Sequence, residues 1–212
     1  MLTVGISTSS GQFALVIGKK GNVLFDSTED FWDDDHQLDE MLSAGLKYCN
    51  MKVKEITRIV VDIGPGGTSR VRTGIAFANA LAYSLGLFIY PVTSMELAGI
   101  DALYNHNLPA IHTVKSIKGN AYVGLYHSGH CVIKYGNIHE IVPVLAHYLD
   151  SFVVSGFHRE TIMGLSLLKN KTIIDSGSTY GDATYLIEHS EFFVGKVYGF
   201  PVYAQPVTEK TI

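Results

Sequence analysis

Ile63-Gly64-Pro65-Gly66-Gly67-Thr68-Ser69-Arg70-Val71-Arg72-Thr73-Gly74 separates two kinds of periodicity in this chain. Before it, Arg58 to Ile63 is apolar and β-branched, the composition of a buried strand. After it, Val71, Gly74, Ala78, Ala82 and Leu85 recur at intervals of three or four, which predicts a helix over Ser69 to Leu85 capped by Thr68 or Ser69. Between them, Gly64, Gly66 and Gly67 allow positive φ and close backbone approach, while Pro65 restrains the loop. A strand, a glycine turn and a helix N-terminus make a natural anion cradle. The loop is no standard nucleotide motif, however: the Gly-Lys-Ser/Thr ending is absent and the spacing is not Gly-x-Gly-x-x-Gly. The face made by Gly74, Ala78 and Ala82 suits the close approach of another helix, or equally burial inside the domain.

Upstream of the loop, residues 2–7, 12–18 and 22–26 read as three short strands of an antiparallel meander, with turns at Ser9-Ser10-Gly11 and Lys19-Lys20-Gly21-Asn22. Phe31-Trp32-Asp33-Asp34-Asp35 is an acidic entry to a helix over His36 to Cys49, whose apolar face carries Leu38, Met41, Leu42, Leu46 and Cys49. Downstream come a strand at Leu87 to Pro91 and a helix over Thr93 to Tyr104. The second half repeats the plan more loosely. Strands are expected at 111–114, 121–126, 131–134, 152–155 and 172–174, and helices at 137–149, about 158–168 and 179–190. A duplicated sheet-and-helix arrangement follows, with one lobe over residues 1–106 and a smaller one over 107–212. The tail from Val197, with Pro201 and Pro206, is expected to pack extended.

At 212 residues, 47% hydrophobic and 17% charged, the chain is globular. Lys+Arg 16 against Asp+Glu 20 leaves a net charge of −4, so no broad basic surface for gripping nucleic acid is expected. The start, Leu2-Thr3-Val4-Gly5-Ile6, has no basic leader, and no apolar run is long enough to span a bilayer. Two cysteines, Cys49 and Cys131, supply neither a disulfide framework nor a zinc set, and a cytoplasmic, reducing location is expected. His127-Ser128-Gly129-His130-Cys131 reads as a hairpin turn rather than a metal site. His106 and His112 lie either side of a loop, and no metal site is expected at either or at Asp33 to Asp35.

These segments resemble the TsaB family, also called YeaZ, the bacterial partner of the enzyme that places threonylcarbamoyl on adenosine of transfer RNA. Gly5-Ile6-Ser7-Thr8-Ser9 is similar to the family's opening strand, which ends in Asp-Thr-Ser, and Gly64 to Gly74 to its Gly-Pro-Gly-Ser-Phe-Thr-Gly-Leu-Arg-Ile-Gly. Pro91 to Ala98 resembles its Gly-Val-Ser-Thr-Leu segment, and Pro201-Val202-Tyr203 its terminal Pro-x-Tyr. The departures are Ser7 in place of an acid, Thr68-Ser69-Arg70 in place of Phe-Thr-Gly, and Lys115 to Tyr122 in place of Asp-Ala-Arg-x-Gly-Glu-Val-Tyr.

The resemblance implies an α/β fold of the actin/Hsp70 ATPase type, ribonuclease H-like, in duplicated lobes. In the catalytic paralogue, TsaD, two metal-holding histidines occupy positions that fall here at Ser94 and Ala98, which are poor or impossible ligands. A noncatalytic scaffold is therefore expected. It docks through its first two helices, by His36, Leu38, Met41, Leu42, Arg70, Gly74, Ala78 and Ala82, onto a TsaD-like subunit or a second copy of itself. A TsaE-like ATPase is a candidate further member of the complex. The glycine loop, Gly64, Pro65, Gly66 and Gly67 with Arg72, is expected to stand near a nucleotide shared with the partner, with no cofactor held by this chain alone. The rival expectation is a self-sufficient nucleotide-dependent enzyme, a small kinase or hydrolase. A zinc protease lacks its His-Glu-x-x-His here.

Overall fold

The structure, a computed structural model, describes residues 1–9, 11–30, 37–117 and 119–200. Within the described residues the chain divides into two compact units, the first made by residues 1–97 with 182–200, the second by 98–181. In the first unit, β1 (Leu2–Ser7), β2 (Gln12–Lys19) and β3 (Asn22–Asp30) form the meander, followed by α1 (Leu38–Tyr48), β4 (Ile56–Asp62), α2 (Thr68–Leu85) and β5 (Ile89–Val92). The sheet order is β3-β2-β1-β4-β5, with β1, β4 and β5 parallel. Because β1, β2 and β4 are buried on both faces, they read as continuous apolar runs. Leu15, Ile17, Ile59 and Val61 meet Leu42 and Leu46 of α1 and Ile75 and Ala78 of α2. Val16 and Val60, one residue out of step, meet Leu186 and Ile187 of the short α6 (Tyr185–Glu188) on the other face.

The second unit repeats this order. β6 (Ala110–Lys115), β7 (Ala121–His127) and β8 (His130–Gly136) are antiparallel, α4 (Ile138–Leu145) follows, and β9 (Ser151–Gly156) and β10 (Thr172–Asp175) lie parallel to β6. Read outward from β8, the order β8-β7-β6-β9-β10 matches β3-β2-β1-β4-β5 position for position. The expected duplication is present at the level of topology. α3 (Ser94–His106) begins in the first unit and continues into the second.

The expected hairpin over His127 to Cys131 is present, with Ser128 and Gly129 at φ 52 and 78 and His127 paired with His130. Three helix expectations were too generous. The segment from 158 to 168 is one turn of α5 (Arg159–Met163) and a 3-10 turn at Ser166–Leu168, because Leu165 is extended. Between 179 and 190 only α6 forms a helix; Asp182 accepts from the Thr184 amide and hydroxyl, fixing a local turn just before it. The helix expected over 137–149 closes at Leu145, with Asn137 as its N-cap and Pro143 inside it. Of the tail, Lys196 bridges to Ile89 and Gly199 to Asn79, whereas Pro201, Tyr203 and Pro206 lie outside the described residues.

Candidate functional site

The site forms where β1 and β4, running side by side, end on polar residues. The apolar run Ile59-Val60-Val61 delivers Asp62 into the interior, where it is 1% exposed. A carboxylate so placed needs donors on every side. It has them: Ser7 Oγ donates to Oδ2 at 2.9 Å, Ser9 Oγ donates to the same oxygen, Ser94 Oγ donates to Oδ1 at 2.9 Å, and the Gly64 amide donates to Oδ1 at 2.8 Å. Ser9 and Ser94 hydroxyls are themselves 2.7 Å apart, and Ser94 Oγ lies 3.2 Å from the Pro65 carbonyl. Burial pushes the Asp62 carboxyl above the usual range, against the downward pull of the bonds from Ser9, Gly64, Ser7 and Ser94.

Asp62 thus pins the glycine loop from beneath, and the chain's own first turn closes it from above. Gly64 has φ 88 and its peptide to Pro65 is cis. A Cβ on Gly66 would stand 2.0 Å from the Ser9 carbonyl oxygen, so only glycine fits. The Gly67 amide donates to that same oxygen at 3.2 Å. Two amides of the expected anion cradle, those of Gly64 and Gly67, are therefore already used inside the protein. α2 is capped by Gly67 rather than by Thr68 or Ser69, with no side-chain cap, because Gly67 is the extended residue whose carbonyl starts the helix. Thr8 Oγ1 donates to the Arg70 carbonyl, and Gly74 leaves room for the Thr8 side chain.

The residues expected to meet a partner are divided by the fold. Leu38, Met41, Leu42, Ala78 and Ala82 are buried in the first unit's own core, and Gly74 is buried against Thr8. The helices leave their opposite rows outward: Ser43, Ala44, Lys47 and Tyr48 on α1, and Arg72, Thr73, Ala76, Ala80 and Tyr83 on α2. Arg70 is half-buried. His36 and Asp33 to Asp35 lie outside the described residues. Ser94, where the resemblance implied a metal-holding histidine of TsaD, is engaged with Asp62, and Ala98 one turn on is buried. Among the described residues no group of three His, Cys, Asp or Glu side chains is arranged to hold a metal ion. No described helix is long and apolar enough to cross a membrane.

The second unit has a polar pair between its own adjacent parallel strands. His112 on β6 faces Ser155 on β9, with Nδ1 and Oγ 2.8 Å apart and both residues buried. Burial pushes the His112 ring down to about 4, so it is neutral at ordinary pH. Neither Asp62 nor the His112–Ser155 pair was picked out from sequence. The available signal was a lone ionisable residue ending or interrupting an apolar strand, as in Ile59-Val60-Val61-Asp62 and Ala110-Ile111-His112.

Two sheets of identical strand order, each with β-meander first and parallel strands after, define an α/β fold of the actin-like ATPase type. Solved structures agree on the fold: YeaZ from Pseudomonas aeruginosa superposes with a TM-score of 0.76 at 16% identity, covering 95% of this chain and 99% of that one. A protein with similarity to peptidase YEAZ from the same organism gives 0.77 at 17% identity, with 96% and 98% covered. Component A of (R)-2-hydroxyglutaryl-CoA dehydratase from Acidaminococcus fermentans gives 0.53 at 12% identity, with 89% and 97% covered. The family model for TsaD, tRNA N6-adenosine threonylcarbamoyltransferase, matches residues 35–137. The tRNA threonylcarbamoyladenosine biosynthesis protein TsaB of Bacillus subtilis is 33% identical over 110 residues, 50% of this chain and 45% of that protein. Over these stretches the chain is similar to TsaB and TsaD proteins, and it spans a little under half the length of that curated relative.

Proposed function

We propose that this chain is a noncatalytic subunit in the synthesis of threonylcarbamoyladenosine on transfer RNA, and that it works by docking onto a TsaD-like enzyme. The observation that carries this reading is the outer surface of α1 and α2. Ala76, Ala80 and Thr73 give α2 a low outer row beside Tyr83, which is 82% exposed, and Ser43 and Ala44 do the same on α1. Small side chains let helices approach closely, and an exposed tyrosine is a common anchor at such contacts. Both helices lie within the residues that match the TsaD model, so a TsaD-like chain would present a similar pair, and like surfaces pair about a two-fold axis. The same geometry admits a homodimer when the partner is absent.

The reaction itself is assigned to the partner. Here Ser7 and Ser94 turn their hydroxyls to Asp62, and Asp62 is enclosed, so these groups serve the loop rather than a substrate. The loop is read as a rigid shoulder for the start of α2, near a nucleotide held chiefly by the partner. A TsaE-like ATPase would join the pair and not this chain alone.

Ala80→Trp tests the docking reading, since its side chain points outward and the substitution leaves the core untouched. Binding to the host's TsaD homologue, followed by calorimetry, is expected to weaken at least tenfold with no change in melting temperature. Unchanged affinity would remove α2 from the interface.

A further inference from the structure

Three anchors hold the segment from Phe193 to Phe200 as a strap along the edge of the first sheet. Arg58, whose guanidinium stands 3.6 Å over the Tyr90 ring, donates through Nη2 to the Phe193 carbonyl at 3.2 Å. Ile89 and Lys196 exchange both backbone hydrogen bonds, at 2.9 and 2.7 Å. Asn79 of α2 does the same with the Gly199 backbone, donating at 3.2 Å and accepting at 2.9 Å. Gly199 packs so tightly that an added Cβ would come 2.6 Å from Ile89 Cδ1 and 3.5 Å from Ile75 Cγ2, so the strap roofs the seam between α2 and β5.

Covering an edge strand needs backbone pairing alone. The strap does more. Val194, Val197, Tyr198 and Phe200, with Phe88 beside them, are all exposed, Tyr198 at 53% and Phe200 at 73%. A run of large apolar side chains left in water marks a contact surface. Asn79, the third anchor, sits between Ala76 and Ala80 on α2 and one turn before Tyr83, so the strap adjoins the helix's outer row.

We propose that the strap is the second half of the docking surface, with Tyr198 and Phe200 as its anchors, and that its occupant is the same TsaD-like chain assigned to α1 and α2. This rests on the reading above. The occupant follows from continuity: the outer row of α2 is low, so a helix seated on it comes close enough for aromatic side chains at the neighbouring strap to reach its flank. Asn79 is the positioning residue that holds those side chains level with the helix.

The test is a binding titration of the full-length chain with its host's TsaD homologue, comparing wild type, Ala80→Trp and the double variant Tyr198→Asp/Phe200→Asp. Aromatic anchors at an interface commonly account for a tenfold loss or more when removed. The double variant is therefore expected to bind at least tenfold more weakly while melting like wild type. Wild-type affinity in the double variant, with Ala80→Trp impaired, would overturn the strap and leave the helix reading intact. No binding by wild type would overturn both. Loss of a homodimer in the double variant, with the heterocomplex unchanged, would assign the strap to a second copy and contradict the occupant named here.

Discussion

Asp62→Ala should melt roughly 6–12 °C below wild type, from a loss of about 3 kcal/mol at 2–4 °C per kcal/mol for a chain of this size. The carboxylate is the shared acceptor for Ser7, Ser9, Ser94 and the Gly64 amide, all beyond the reach of bulk water. Alanine leaves those donors unpaired in a site shaped for an anion. Asp62→Asn keeps one acceptor oxygen and should lose less. Because Gly64 is held by the same group, the alanine variant should also loosen the start of α2. Circular dichroism melting reads the first effect, and hydrogen exchange at the amides from Gly64 to Val71 reads the second. A fall of less than about 2 °C would show that the hydroxyl cage is dispensable.

Acid should weaken the second unit. His112 is neutral in the fold and is pushed down to about 4 from an ordinary 6.5. A depressed value means that the folded protein binds this proton less readily than the unfolded chain. The contribution of the neutral ring is therefore present above pH 6.5 and is lost as pH falls toward 4, by about 3 kcal/mol at the limit. Asp62 works the other way. Its raised value means that its folded form gains relative to the unfolded chain as pH falls. The two are separated by comparing wild type with His112→Asn, which keeps a polar group toward Ser155 and does not titrate. Urea unfolding at pH 7 and pH 4 should show a larger acid loss in wild type than in the variant. Equal losses would place the acid sensitivity elsewhere.

The fold was largely legible because its strands are short, apolar and punctuated. Leu15, Ile17, Ile59 and Val61 pack on one side and Val16 and Val60 on the other, so these strands are uniformly hydrophobic, as strands covered on both faces must be. The glycine loop announced itself by composition. What sequence periodicity could not reveal is which side of a helix meets the protein's own sheet. Gly74, Ala78 and Ala82 fitted a core face and a docking face equally well, and the structure turns them inward. The outward row of Ala76, Ala80 and Tyr83 carries a weaker pattern, because a surface built of small residues and one aromatic has no hydrophobic period. Asp62 was masked by the same logic: as one charge after three apolar residues it looks like a strand end. Its role depends on Ser7, Ser9 and Ser94, which lie 55, 53 and 32 positions away. The strap was foreseen only as an extended tail, since its anchors Arg58, Ile89 and Asn79 are more than a hundred residues upstream.

The most direct measurement is threonylcarbamoyl transfer to transfer RNA by three purified samples: this chain alone, its host's TsaD homologue alone, and the two together with the remaining components held constant. Docking without chemistry predicts no transfer and no ATP turnover by this chain alone, and a rate with both that exceeds the partner's own. Transfer or ATP hydrolysis by this chain in isolation would contradict the account.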